Sequence, residues 1–139
     1  MMIMKIRKFT RLPRNLKLLL SETFFTLFVS QVTLMLLPVE KALKKSSQRD
    51  VGDADCKNIE LTEIRWALYN AGNIWFRKSR CLVQCIAGKR MLARRGIDSQ
   101  IFMGVRHSDE KRIVAHAWLL AGDFEVVEKG EDYLELAKF

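Results

Sequence analysis

The hydrophobic period of this chain changes once, at Gly96, and that change limits the fold more than any other feature. Before it, residues 81–96 read CLVQCIAGKRMLARRG. Leu82, Cys85, Ile86, Met91 and Leu92 recur there at helical spacing, which assigns Lys89, Arg90, Arg94 and Arg95 to the exterior. Gly96 stands where a left-handed helix cap belongs, with basic residues beside the negative helix end. After it come short runs rich in β-branched and aromatic residues, at 101–105, 113–120 and 124–127. Turn-forming stretches at 107–111 and 121–123 separate them. The pattern predicts an α+β fold in which a helix packs on a small antiparallel sheet, read most simply as a three-stranded meander.

The front half is helical in a different way. Apolar residues are nearly continuous over 15–37, after a lead-in turn at Pro13 and before a break at Pro38. A short basic helix is expected at 39–45 and a linker at 46–55. The organisation expected is therefore a helical N-terminal segment, 1–50, ahead of a second domain, 56–139. A further helix is predicted from about residue 61, with Ile64, Ala67, Leu68 and Ala71 facing inward and Gly72 tolerated within it. The uncharged stretch 23–39 lies at the lower limit of about 17 residues for a membrane span. It carries Ser30 and Gln31 and lacks a small-residue cleavage site. A buried or partner-facing helix is the preferred reading, with peripheral membrane contact left open.

Charge is unevenly placed within the net +8. Residues 1–50 hold ten Lys/Arg against three acids, whereas 101–139 hold five against eight. Such a field attracts acidic peptides, nucleic acids or anionic membranes alike, so it selects none of them. The cysteines are Cys56, Cys81 and Cys85, an odd number that points to free thiols in a reducing, cytoplasmic setting. No Cys-x-x-Cys pair exists, and His107 and His116 form no ligand doublet, so neither metal nor cofactor is expected.

Cys81 has a setting that suits a nucleophile. It falls in the predicted first turn of a helix, where unpaired backbone N–H groups favour an anion, and Lys78 and Arg80 precede it. Cys85, one turn deeper, reads as packing, and Cys56 borders the linker. The plain alternative for Cys81 is a buried, inert thiol. In VAHAWLL, Val114, His116 and Trp118 share one side of an extended run, taken as the inward one. His116 is then either a hydrogen-bonded core residue or the general base. Glu128, after the next strand, or Asp123, in the hairpin turn, would orient the imidazole. Glu128 is favoured because a hairpin returns it alongside His116. Gln84 is a candidate second oxyanion donor, or else a packing residue.

These residues resemble a known family. CLVQCIAGKRMLARRGI, the IFMGV run and AHAWL are similar to the C-terminal peptidase domain of lasso-peptide maturation proteases, within the transglutaminase-like superfamily. RLPRNLKLLLSETFF and LMLLP are similar to the helical segment that precedes this core when it is a stand-alone protein. The resemblance implies a papain/transglutaminase-like core, Cys81 as nucleophile, His116 as base and Glu128 where the family usually has Asp. It also implies cleavage of a precursor-peptide leader, a separate leader-recognition protein and a lasso cyclase that takes the freed core peptide. The apolar helix 15–37 is then either a docking surface for one of these or a cover for the core. The rivals are a transglutaminase-like acyltransferase with the same Cys–His pair, a membrane-associated scaffold, and a nucleic-acid-binding module resting on Arg90, Arg94 and Arg95. No nucleic-acid-reading motif supports the last.

Overall fold

A computed structural model of the chain describes residues 10–38, 40–41, 57–75, 80–130 and 132–139. Cys56, the linker expected at 46–55 and Lys78 lie outside the described residues, as does most of the short helix expected at 39–45. Among the described residues, three helices, α1 (Arg14–Leu36), α2 (Lys57–Trp75) and α3 (Arg80–Arg94), precede four strands. These are β1 (Gln100–His107), β2 (Ile113–Ala121), β3 (Phe124–Val127) and β4 (Leu134–Lys138).

Each helix end has a local cause. Pro13 is the N-cap of α1 and its carbonyl accepts from the Lys17 amide at 3.2 Å. Leu37 turns to extended backbone, as the residue before a proline prefers, and its amide still closes on the Thr33 carbonyl at 2.9 Å. At the other end of the helical region, Gly96 adopts φ 68°. Its amide donates to Ala93 and that of Ile97 to Leu92, which satisfies two terminal carbonyls of α3. Ile97 and Leu92 are both buried and add the apolar contact that usually accompanies such a cap.

One core joins all three helices to the sheet. From α3 it takes Val83, Cys85, Ile86, Ala87, Met91 and Leu92, all fully buried. From α2 it takes the expected Ile64, Ala67, Leu68 and Ala71, and from α1 Leu19, Leu20 and Leu27. Gly88 marks the closest approach, because a Cβ there would lie 2.7 Å from Leu119 and 2.9 Å from Leu68.

The sheet is fully antiparallel with strand order β3-β2-β1-β4. It therefore has one strand more than the meander read from sequence. LELAK is built largely from helix-favouring residues, and only pairing with distant β1 makes it a strand. A register shift between Met103 and Gly104 accommodates it. Gly104 is needed there: a Cβ would stand 2.6 Å from the Leu134 carbonyl and 3.0 Å from the Trp118 ring. The backbone at Phe139 exchanges two further hydrogen bonds with Ile101, of 2.9 and 2.7 Å.

The basic residues of α3 differ from expectation. Lys89 is buried, not exterior, and its ammonium donates to the Phe139 carbonyl at 2.9 Å. Arg95 grips Glu22 of α1 through two bonds, of 3.0 and 2.7 Å, and Arg94 adds a third at 3.2 Å. Arg90 donates to the Thr33 hydroxyl at 3.4 Å. Lys89, Arg90 and Arg95 thus tie elements together, whereas Arg94 is exposed, as the periodicity indicates.

Hydrogen bonds from Arg95 hold the Glu22 carboxyl below its usual range, against the opposing effect of burial. A depressed carboxyl stabilises the fold at pH values above its unfolded pKa, and that contribution is lost as pH falls through the folded one. Glu22→Gln is therefore expected to cost about 1–2 kcal/mol at pH 7. The gap from wild type should close as pH falls below the ordinary carboxylate range and through the depressed Glu22 value, as read by urea unfolding at stepped pH.

Candidate active site

A cavity of about 740 Å3 opens where the N-terminal half of α3 meets α2 and the end of β3. Cys81 and Gln84 of α3 line it, with Arg65, Trp66 and Tyr69 of α2. His116 of β2 and Glu128, just beyond β3, complete the opposite wall. Residues 81, 116 and 128 are thus brought to one place from three separate elements. Asp123, the other candidate for orienting the histidine, is exposed in the β2–β3 turn and does not line the cavity.

The two α3 cysteines have different surroundings. Cys85 is fully buried in the core, and burial raises its thiol well above the ordinary range, with Cys81 adding to the effect. It stays protonated and inert. Cys81 is half-buried at the rim, a free thiol in the first turn of α3, where backbone N–H groups have no intrahelical acceptor.

His116 stands on the face of the sheet opposite to the one inferred from sequence. Ala117, Leu119 and Ala121 supply the row that packs in the helical core. His116 and Trp118 belong to the alternate row. Trp118 is nonetheless 3% exposed, because it is buried from the other side. Phe102 stacks on it at 5.8 Å, Tyr133 approaches at 6.4 Å and the Lys129 ammonium lies 5.2 Å from its ring. A large aromatic on the outer row, covered by the segment leading into β4, gives the same alternation as one turned toward the helices.

His116 reaches the cavity because β3 stops pairing early. The last β2–β3 pair is Leu119 with Val127, so Glu128 lies past the ladder. There His116 Nε2 meets the main-chain carbonyl of Glu128 at 2.9 Å. A carbonyl only accepts, so Nε2 carries the proton and Nδ1 is left as the basic nitrogen. The ring also contacts Tyr133 at 5.0 Å and Trp118 at 6.3 Å. Partial burial lowers the His116 pKa, so the imidazole is neutral at pH 7 and fit to accept a proton. Among the described residues no hydrogen bond joins Cys81 directly to His116.

The Glu128 side chain does something else. Its carboxylate is paired with the Arg65 guanidinium, which also donates to the Glu125 carbonyl at 3.4 Å and lies 6.0 Å from the Phe124 ring. Glu128 thus touches the imidazole through its backbone, while its carboxylate is held toward α2. Arg65, Trp66 and Tyr69 were not singled out in the sequence, where α2 offers only a packing pattern. Gln84, a candidate oxyanion donor, gives an amide proton to the Leu68 carbonyl at 3.0 Å. Gly72 makes room for it, since a Cβ there would lie 1.8 Å from the Gln84 amide nitrogen. Gln84 locks α3 to α2 one turn beyond Cys81. No cluster of three or more potential metal ligands occurs among the described residues.

A half-buried thiol at a helix head thus shares one cavity with an imidazole whose tautomer is fixed by a main-chain carbonyl, an arrangement that thiol acyl-transfer chemistry can use. The sequence profile of the transglutaminase-like superfamily matches residues 20–138, and the chain belongs to that superfamily. Its members include cysteine peptidases and acyltransferases. No curated protein and no solved structure matched the chain.

Thiol alkylation tests the assignment without a substrate. Iodoacetamide should label Cys81 in the folded protein and spare Cys85, as read by peptide mass mapping. His116→Ala should slow Cys81 labelling at pH 7 about tenfold or more. Glu128→Ala, which keeps the carbonyl, should slow it by less than about threefold. Equal losses in the two variants would give the orienting role to the carboxylate.

Proposed function

We propose that this chain is a cysteine peptidase that removes the leader from a lasso-peptide precursor, with a separate leader-recognition protein supplying the substrate. Support comes from the superfamily membership and from the likeness of residues 81–118 to that peptidase family. The single observation that carries it is that Cys81 and His116 line one cavity, with the His116 proton anchored on the Glu128 carbonyl.

In this reading, the Cys81 thiol gives its proton to His116 Nδ1 and the sulfur attacks the leader–core amide carbonyl. The backbone N–H of Cys81, in the first turn of α3, donates to the developing oxyanion. His116 returns the proton to the core peptide's departing amine, which leaves the leader as a thioester on Cys81. Water, deprotonated by His116, then cleaves the thioester, releases the leader carboxylate and restores the thiol. The core peptide passes to a lasso cyclase. Hydrolysis needs neither ATP nor a metal. Cleavage rather than acyl transfer requires that water reach the thioester, and the cavity holding Cys81 is open to solvent.

The test is leader cleavage in the presence of the leader-recognition protein, followed by product mass. Cys81→Ala should abolish cleavage and His116→Ala should slow it about 10²–10⁴-fold, whereas Cys85→Ala should stay active. Loss with Cys85→Ala alone would move the nucleophile. Because burial lowers the His116 pKa, the acid limb of the rate profile should fall below the ordinary histidine value. A leader product bearing an added amine would instead make the enzyme a transferase.

A further inference from the structure

We propose that the outer face of α1 seats the protein on an anionic lipid surface, with the helix lying in the plane of the membrane. Leu18, Phe25, Met35 and Leu36 are 72%, 64%, 76% and 77% exposed. At 100° per residue Leu18, Phe25 and Leu36 fall within about 20° of one another, roughly opposite Leu20, Thr23 and Leu27, which face the core, and Met35 lies at the flank of that line. From Leu18 to Leu36 the stripe runs about 27 Å. α1 is long and apolar enough to pass for a membrane span, as core helices also do. Its other face excludes spanning. Leu19, Leu20 and Leu27 are part of the core, and Glu22 is ion-paired with Arg94 and Arg95, so crossing a bilayer would tear the helix from the fold.

Two features favour lipid over a protein partner. The stripe presents apolar surface with almost no polar group to set a register. The one hydroxyl among it, on Ser21, is turned onto the Lys17 carbonyl at 3.0 Å. A protein interface of this length normally carries several hydrogen bonds across its rim, whereas lipid asks for none. The second feature is charge. Arg11 and Arg14 are exposed at the N-terminal end of the same helix, and no acid occupies its first turn. Cations at the end of an apolar face match a headgroup layer of anionic lipid. The arginines of α3 do not contribute, since they are held by Glu22 and Thr33.

Co-sedimentation of the full chain with phosphatidylcholine vesicles, with and without about one-third phosphatidylglycerol, tests this. Wild type should bind the anionic vesicles at least tenfold more tightly than the neutral ones. A Leu18→Gln/Phe25→Gln/Met35→Gln variant should lose at least tenfold on anionic vesicles, and Arg11→Gln/Arg14→Gln a smaller, salt-dependent amount. All three positions of the stripe variant are exposed, so its circular dichroism and thermal midpoint should match wild type. Absence of wild-type binding, or binding unchanged by the stripe substitutions, would overturn the proposal. So would a concentration-dependent dimer that the stripe variant abolishes, since a second copy would then cover the face. Cys81 alkylation is unaffected in every case, so failure here leaves the peptidase reading where it stands.

Discussion

Helix α3 is packed on three sides at once, and the rest of the molecule is arranged around that constraint. Its residues Val83, Cys85, Ile86, Ala87, Met91 and Leu92 have no accessible surface. Burying that many side chains on one short helix requires neighbours on nearly every azimuth, which α1, α2 and the sheet supply. Gly88 allows the tightest of these contacts, where Leu119 from β2 and Leu68 from α2 converge. A helix held this firmly fixes its own N-terminus. Cys81 therefore stands at a defined point on the cavity rim, and Gln84, bonded to the Leu68 carbonyl, removes the remaining freedom between α2 and α3.

What could be read from the sequence was what depends on near neighbours in the chain. The period of 81–96, the Gly96 cap, the Pro38 break and the two hairpins are local matters, and each lies where the residues indicate. β4 is not local. Leu134 and Leu136 are exposed, so the strand has no buried row to advertise itself, and it is defined by hydrogen bonds to β1 some thirty residues earlier. Lys89 and Arg95 of α3 depart from the expected exterior for the same reason. Whether an arginine at a helix end meets water or a carboxylate depends on what packs opposite, and Glu22 lies far away in sequence. The row carrying His116 illustrates a third limit. Alternation tells which residues share a side, but Trp118 is buried on the outer side, so a buried aromatic does not tell which side faces the helices.

Glu128 contributes two groups with different reach. A strand residue presents its carbonyl at a position set by the backbone and its carboxylate wherever the side chain is drawn. The early end of the β2–β3 ladder frees the carbonyl from pairing and turns it to His116. The carboxylate is then available to Arg65. Fixing the imidazole through a main-chain oxygen places little demand on side-chain length, so the Glu128 side chain can pair elsewhere without disturbing an imidazole protonated at Nε2. The carboxylate's electrostatic help to an imidazolium is correspondingly smaller, because it is shared with a guanidinium. Burial, which lowers the His116 pKa, acts in the same direction. The site is thus biased toward a neutral imidazole at rest.

The apolar character of α1 follows from serving two environments. One side closes the core over α3, and the other is exposed along most of its length. Its threonines fit that double role: Thr23, Thr26 and Thr33 turn their hydroxyls onto carbonyls of their own helix, at 2.7, 2.8 and 2.7 Å, and so present methyl groups instead. Glu22 is the one acid in the helix, and it is placed on the α3 side, where two arginines neutralise it. A carboxylate on the outer side would repel anionic headgroups and leave a charge in an apolar layer. Glu22 lies one turn from both Leu18 and Phe25, so the ion pair that ties α1 to α3 also neutralises the acid nearest the exposed side of the helix.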